Sequence, residues 1–489
     1  MSQDMQIEQT EVLIHTHSNI PSSLFDDNDY SKFGIINIKM KPMSITKQPT
    51  FILFTIDRTG SMLEQDKNGI TRIQQVKETL KNCIRYLAKQ DIEFYICIHA
   101  FNDTVETIIN NTLINANTDL SDIINVINNI ECDGLTNMGE ALLSGIVKMD
   151  LYALHNPTHQ ISHIFMADGN PTTGNVDDSQ LSNMVCEKYY NVFIGYGKDH
   201  NVCLLRDLCK NKNSNYLFVD KLENTSLVYG EAIHKILYPA LKNIEIIIED
   251  GYIYDWKTNE WTNVITEGVF IGEETKTYNI KTTNEDNVSV AIYADYGDCF
   301  EMNGLIDTMN KIPALITPDG SLIDNVNNLT HHIYRQMVME LLFKAKANLN
   351  AVQKIDLKTK IRELFDKMIY YNKFEQHDAS QMIKTLLSDL SIVYNALDCN
   401  NLSPFVMSRY SSQGGQNSYN TTFDNDDHDE ILMNDISPPI LRRSSNYIDH
   451  DSDDSDDYDR INTYISSTAP TTPYATPAML NTMSQISQM

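Results

Sequence analysis

The sequence predicts an α/β protein built on a doubly wound, mainly parallel sheet. A small β-sandwich, a helical region and a disordered acidic tail are expected to follow. Three observations carry that prediction. Residues 51–56 read Phe-Ile-Leu-Phe-Thr-Ile, apolar at both parities, as in a strand buried on both faces of a parallel sheet. From 51 to about 238 such runs alternate with stretches of helical spacing, the pattern of repeated strand–helix units. From 240 to about 310 helical spacing disappears, and it returns alone after 327.

Taken in order, residues 1–44 are a polar lead-in followed by one half-buried strand over 33–43, where Ile35, Ile36, Ile38 and Met40 recur among polar positions. The α/β domain spans 45–238. Its first strand leads to a helix over 71–89, with Ile73, Val76, Leu80, Ile84 and Leu87 on one face. A strand over 93–101 turns at Asn102-Asp103 into an antiparallel partner over 104–109. Helices over 120–130 and 137–149 precede a buried strand over 161–167. A helix over 181–188, a strand over 192–196, a helix near 201–210, a strand over 216–219 and a helix over 222–237 complete about six strands. Residues 239–326 carry short alternating runs around Ile244-Ile246-Ile248, Tyr252-Ile253-Tyr254 and Val288-Val290-Ile292, broken by hairpin-type turns, and read as a β-sandwich that the 33–43 strand could join. Residues 327–398 carry three amphipathic stripes, led by Ile333, Ile361 and Met382, for two or three antiparallel helices. From 399 to 489 Ser, Asn, Asp and Pro dominate and, from 401, thirteen acids face four arginines, which reads as a disordered tail. Its Arg442-Arg443-Ser444-Ser445, Ser452–Asp459, Thr472-Pro and Thr476-Pro segments have the form of kinase sites.

Composition narrows the function. With 38 basic and 66 acidic residues the formal charge is −28, and direct nucleic-acid binding, which needs a basic face, is not expected. No apolar stretch is long enough to span a membrane, and residues 1–8 lack the basic start and apolar core of a signal peptide. Eight cysteines are scattered without a Cys-x-x-Cys, several in apolar runs, which favours reduced thiols and an intracellular, cytoplasmic location.

The chemistry concentrates where the first strand ends. Asp57-Arg58-Thr59-Gly60-Ser61 sets three oxygen donors in five residues at the carboxyl edge of a strand, where open α/β sheets place ligands. Three hard oxygens suit a hard divalent cation such as Mg²⁺, with Mn²⁺ or Ca²⁺ as alternatives. Gly134-Leu135-Thr136-Asn137 offers another hydroxyl at a helix start. Asp168 ends the 161–167 strand and is followed by Gly169, which frees the backbone for a tight turn. If the two strands are neighbours, Asp57 and Asp168 approach within metal-bridging distance. The competing reading has Thr59, Ser61 and Thr136 capping turns and helix starts.

These three motifs, in this order and on these elements, resemble the von Willebrand factor A domain and its metal-ion-dependent adhesion site, over roughly 45–235. The resemblance implies Thr59 and Ser61 as hydroxyl ligands and Thr136 as a third, state-dependent one, with Asp57 and Asp168 acting directly or through water. Thr59 stands where the family more often has Ser, and Leu135 where a second Gly is usual; neither removes a ligand. The site would hold an under-neutralised cation with one position open to an acidic side chain of a partner. The later regions are loosely similar to intracellular proteins of this family, including plant ubiquitin ligases, but no Cys/His series has RING spacing, and ligase activity is not expected.

Other signals are weaker. His155, His159 and His163 recur every four residues but are interrupted by Pro157, and read as surface histidines rather than a zinc face. His331-His332 begins an amphipathic helix without a partner cluster, and Cys203 and Cys209 read as core. No Gly-x-Ser-x-Gly, P-loop or kinase signature set is present. The expected function is therefore a non-enzymatic, Mg²⁺-dependent module for a protein ligand presenting Asp or Glu. The alternatives are a scaffold of the same fold that leaves the metal unused, and a metal-assisted hydrolase. The last would need a further base and a phosphate clamp, for which Arg58 is the only obvious cation at that edge.

Overall fold

The computed structural model describes residues 10–14, 33–40, 42, 48–65, 68–168, 170–197, 200–219, 224–282, 289–296, 309–313, 315–316, 329–346, 349–374, 381–397, 403–419 and 471–489. The chain opens with β1 (Thr10–Ile14), a strand inside the expected lead-in, antiparallel to β2 (Phe33–Lys39). The six-stranded sheet comprises β3 (Thr50–Asp57), β4 (Phe94–Phe101), β5 (Val105–Ile114), β6 (Gln160–Ala167), β7 (Tyr190–Tyr196) and β8 (Ser214–Val219). Their spatial order is β5-β4-β3-β6-β7-β8, with only β5 antiparallel to its neighbour.

Every residue of β3 is buried. Ile52, Phe54 and Ile56 face α1 (Arg72–Ala88), while Phe51 and Leu53 pack with Met149 and Tyr152 on the opposite layer. That two-sided burial is why the run is apolar at both parities, each large side chain contributing about 1.5–3 kcal/mol. Thr71 and Gln74 cap α1 reciprocally, the Gln74 N–H donating to Thr71 Oγ1 and the Thr71 N–H to Gln74 Oε1. Next come α2 (Ser121–Asn128) and α3 (Met138–His155). The helix expected over 181–188 is instead the short α4 (Asp178–Ser182), started by Asp177, whose side chain accepts from the Gln180 N–H. Then follow α5 (Val202–Leu208) and α6 (Thr225–Leu237).

The β-sandwich has two sheets. Strands β9 (Pro239–Glu249), β12 (Val264–Ile271), β14 (Ser289–Tyr296) and β15 (Met309–Pro313) form one. The other joins β10 (Gly251–Asp255), β11 (Glu260–Thr262), β13 (Thr275–Thr282) and β16 (Leu315–Ile316) to β1 and β2, the latter through antiparallel pairing of β2 with β13. The 33–43 strand thus joins the sandwich, and the α/β domain is an insertion between β2 and β9. Helices α7 (Leu329–Ala345), α8 (Ala351–Phe374) and α9 (Gln381–Ala396) carry the three expected stripes. Their apolar faces share one core with Phe165, Phe193 and Phe218 of the α/β sheet.

The expected tail is corrected at both ends. α10 (Ser403–Gly415) is buried among α7 and α9, where Arg409 forms an enclosed 2.7 Å ion pair with Asp389. α11 (Pro477–Ser487) lies on α6, with Met479, Met483 and Ile486 in the core around β3 and α1. Thr472 and Thr476 are accordingly buried: the first hydroxyl donates to the Asn417 carbonyl and the second caps α11. The two other kinase-type segments lie outside the described residues. His163 is also corrected, being enclosed beside β3 and bonded to Thr55 Oγ1 at 2.9 Å. Cys203 is exposed rather than core.

Candidate metal site

Because β6 pairs directly with β3, Asp57 and Asp168 emerge side by side at the carboxyl edge. Asp57 is fully buried. Its Oδ1 accepts the Thr59 N–H at 2.9 Å, which folds the 58–60 segment back over the strand end. A single 3₁₀ turn over Gly60–Leu63 then presents Ser61. Thr59 Oγ1 lies 3.0 Å from Ser61 Oγ, and Ser61 Oγ donates to Asp168 Oδ1 at 2.7 Å. Four of the five expected residues therefore form one continuous hydrogen-bonded chain from Asp57 to Asp168.

Thr136 joins through its loop. The Asp133 N–H donates to the Arg58 carbonyl at 3.0 Å, tying residues 133–137 to the Asp57 turn. The Thr136 N–H donates to Thr172 Oγ1 at 2.8 Å, and its carbonyl accepts from the Thr172 N–H at 2.9 Å, tying the same loop to the segment after β6. Gly134 has φ +74°, with Asp103 Oδ2 in the space a Cβ would take, so this position needs glycine. Leu135 is exposed and its N–H is held by Asp103 Oδ2 at 3.0 Å. Asn137 starts α3 by accepting the Glu140 N–H. Gly169 lies outside the described residues.

The electrostatics are unbalanced. Asp57 Oδ2 is buried without a hydrogen-bond partner, and the carboxyl is pushed up to about 7, first by burial and then by the charge of Asp168. Buried polar atoms are normally satisfied, so an orphaned carboxylate oxygen beside a second carboxylate fits a bound cation. The donors are all oxygens, as a hard divalent ion requires. Among the described residues no group of three or more His, Cys, Asp or Glu is placed to hold a metal ion, and this edge itself brings together only two carboxylates beside its hydroxyls.

One member escaped the motif reading. Arg72 Nη1 donates to Asp168 Oδ2 at 2.9 Å, and the same guanidinium pairs with Glu64. Arg58, which pairs with Glu106 at 2.9 Å, is thus not the only cation at this edge. A signal was available: Arg72 opens α1, where the helix dipole disfavours positive charge, so a cation there calls for a carboxylate partner.

A doubly wound, mainly parallel sheet with two carboxylates and several hydroxyls at one carboxyl edge defines a class of α/β domain. Residues 52–230 match the von Willebrand factor type A domain, and this part of the chain is such a domain. Inter-alpha-trypsin inhibitor heavy chain H2 from Homo sapiens is 25% identical over 232 residues, covering 45% of this chain and 23% of that protein. The Mus musculus protein is 25% identical over 229 residues, so the chain spans under a quarter of these relatives' length. A von Willebrand factor type A structure from Catenulispora acidiphila shares the fold with a TM-score of 0.50 at 14% identity, covering 73% of this chain and 85% of that one. Domains of this type mediate protein–protein interaction, and many hold a divalent metal. Among the described residues no helix is long and apolar enough to cross a membrane.

Proposed function

We propose that this chain is a non-enzymatic, intracellular interaction module whose type A domain holds Mg²⁺ through Asp57, Thr59, Ser61, Thr136 and Asp168. Mn²⁺ or Ca²⁺ could substitute. The partner would be a protein that offers an Asp or Glu side chain to the ion. The observation that carries this reading is the orphaned Asp57 Oδ2 at the head of a continuous hydroxyl–carboxylate chain. Two carboxylates, one already paired with Arg72, leave a divalent ion short of negative charge, which an acidic side chain supplies. The thiols of Cys83, Cys97, Cys132, Cys186, Cys203 and Cys209 are free, in support of a reducing compartment.

Arg72 favours a second reading. A guanidinium already neutralises Asp168, so the domain could serve as a scaffold whose partners never touch the metal. Affinity capture from the native cell with Mg²⁺, with chelator, and with the Asp57→Ala variant separates the two. Partners lost in both chelator and variant support metal-mediated binding; partners kept in both support the scaffold.

A further inference from the structure

A cavity lies at the opposite edge of the α/β sheet. It measures about 590 Å³ and opens where the starts of β7 and β8 meet α5, α10, the end of α7, and strands β12 and β13 of the sandwich. Its volume is within the range of small-molecule pockets, and its walls come from three regions of the fold. Seven of its lining residues are Lys or Arg and three are Asp or Glu. In a chain with 66 acids against 38 basic residues, that is a local inversion of charge.

The carboxylates are already engaged. Asp207 holds Arg206 at 2.7 Å and Lys210 at 3.4 Å, Glu274 holds Lys276 at 2.7 Å, and Glu267 holds Lys257 at 3.5 Å. Among the described residues no carboxylate pairs with Lys212 or Lys346. The Lys346 ammonium instead lies 3.8 Å from the Phe343 ring centre and 4.3 Å from that of Tyr410. Burial, and then the charge of Arg206, pull it down to about 8. Trp256 lines the same cavity, and its indole N–H is buried without an acceptor. A desolvated ammonium and an idle donor at a cavity are stabilised by an anion rather than by water.

We propose that this cavity binds a small molecule carrying several phosphate groups, held by Lys346, Lys212 and Arg206. With Lys235 held by Glu231 at 2.8 Å, three cations remain in excess, which calls for a ligand of several negative charges. Lysines suit phosphate as mobile point charges, and Arg206, whose Nε and Nη2 are taken by Asp207, adds its remaining Nη1 donors. The site is independent of the Asp57 edge and of the function proposed there.

The test uses the full chain in buffer stripped of divalent metals on a chelating resin, with calorimetry and thermal unfolding. The probes are ATP, inositol hexakisphosphate, sodium sulfate at matched ionic strength, and a synthetic poly-aspartate peptide. Saturable binding of ATP or inositol hexakisphosphate, with a raised unfolding temperature and no response to sulfate, supports the site. ATP alone would assign a nucleotide, and inositol hexakisphosphate alone a non-nucleotide polyphosphate. Lys346→Met and Lys212→Met should each weaken binding roughly tenfold or more, and Lys212→Met serves should Lys346→Met fail to fold. No binding by either phosphate compound, unaltered binding in both variants, or capture of poly-aspartate alone would overturn the assignment.

Discussion

Arg72 and Asp168 form a 2.9 Å ion pair, and the other oxygen of the same carboxylate takes the Ser61 hydroxyl at 2.7 Å. Asp168 is therefore compensated from within the chain, whereas Asp57 Oδ2 is not. The site is balanced on one side and open on the other.

Replacing Arg72 tests that balance. In Arg72→Met two buried carboxylates face each other without a cation. Without metal the variant should lose roughly 3 kcal/mol, as when one partner of a buried pair is removed. Mg²⁺ should restore more stability to it than to wild type. Urea unfolding with and without Mg²⁺ reads both effects; equal Mg²⁺ responses would separate Arg72 from the metal site.

Acid should destabilise the fold earlier than carboxylate titration alone would. Burial holds His163, His234 and His332 down to about 3 and His200 down to about 4, from an ordinary 6.5. Between those values the unfolded chain binds more protons than the folded one. The stability these four rings contribute is therefore complete above about pH 6.5 and is lost as pH drops toward 4, partly offset by the raised Asp57 carboxyl, whose effect has the opposite sign. Near pH 5.5 each such histidine withdraws about 1 kcal/mol. The unfolding temperature should decline from pH 7 to 5.5, less steeply in His163→Gln; a flat profile would contradict the buried neutral rings.

Much of the α/β domain was legible because its signals are local. An apolar run that stops on Asp57, and another that stops on Asp168, specify strand, burial and edge together. The place of Arg72 at the start of α1 signalled a carboxylate partner but not which one, since Asp168 lies 96 positions away, and His163 was illegible because its enclosing neighbours come from β3, β7 and α3. The helices at 403–415 and 477–487 were hidden by composition. Ser, Gln, Gly and Arg resemble a solvated tail until buried pairs such as Arg409 with Asp389, and Gln413 Nε2 with Asp389 Oδ2 at 2.7 Å, are in place. Arg409→Leu should consequently cost about 3–5 kcal/mol in urea unfolding, since it strands Asp389 in the core. A loss well under 1 kcal/mol would refute that burial.

The C-terminal helix should act as part of the type A domain. A Cβ on Gly230 would meet the Met483 backbone at 2.7 Å, so the two helices touch without room to spare. His234 Nδ1 and Thr482 Oγ1 are bonded across the same seam at 2.9 Å. Met483→Ala should lower stability by about 2–5 kcal/mol, and Gly230→Leu should leave 471–489 open to protease. Unchanged unfolding on deletion of 471–489 would argue against that seam.

The central claim is the cation between Asp57 and Asp168. Calorimetric titration of Mg²⁺ and Mn²⁺ into the wild-type chain and Asp57→Asn tests it most directly. Saturable one-site binding by wild type, abolished or weakened at least roughly a hundredfold (about 2.7 kcal/mol) in Asp57→Asn, is the predicted result. Equal binding by the two proteins, or none by either, would contradict it.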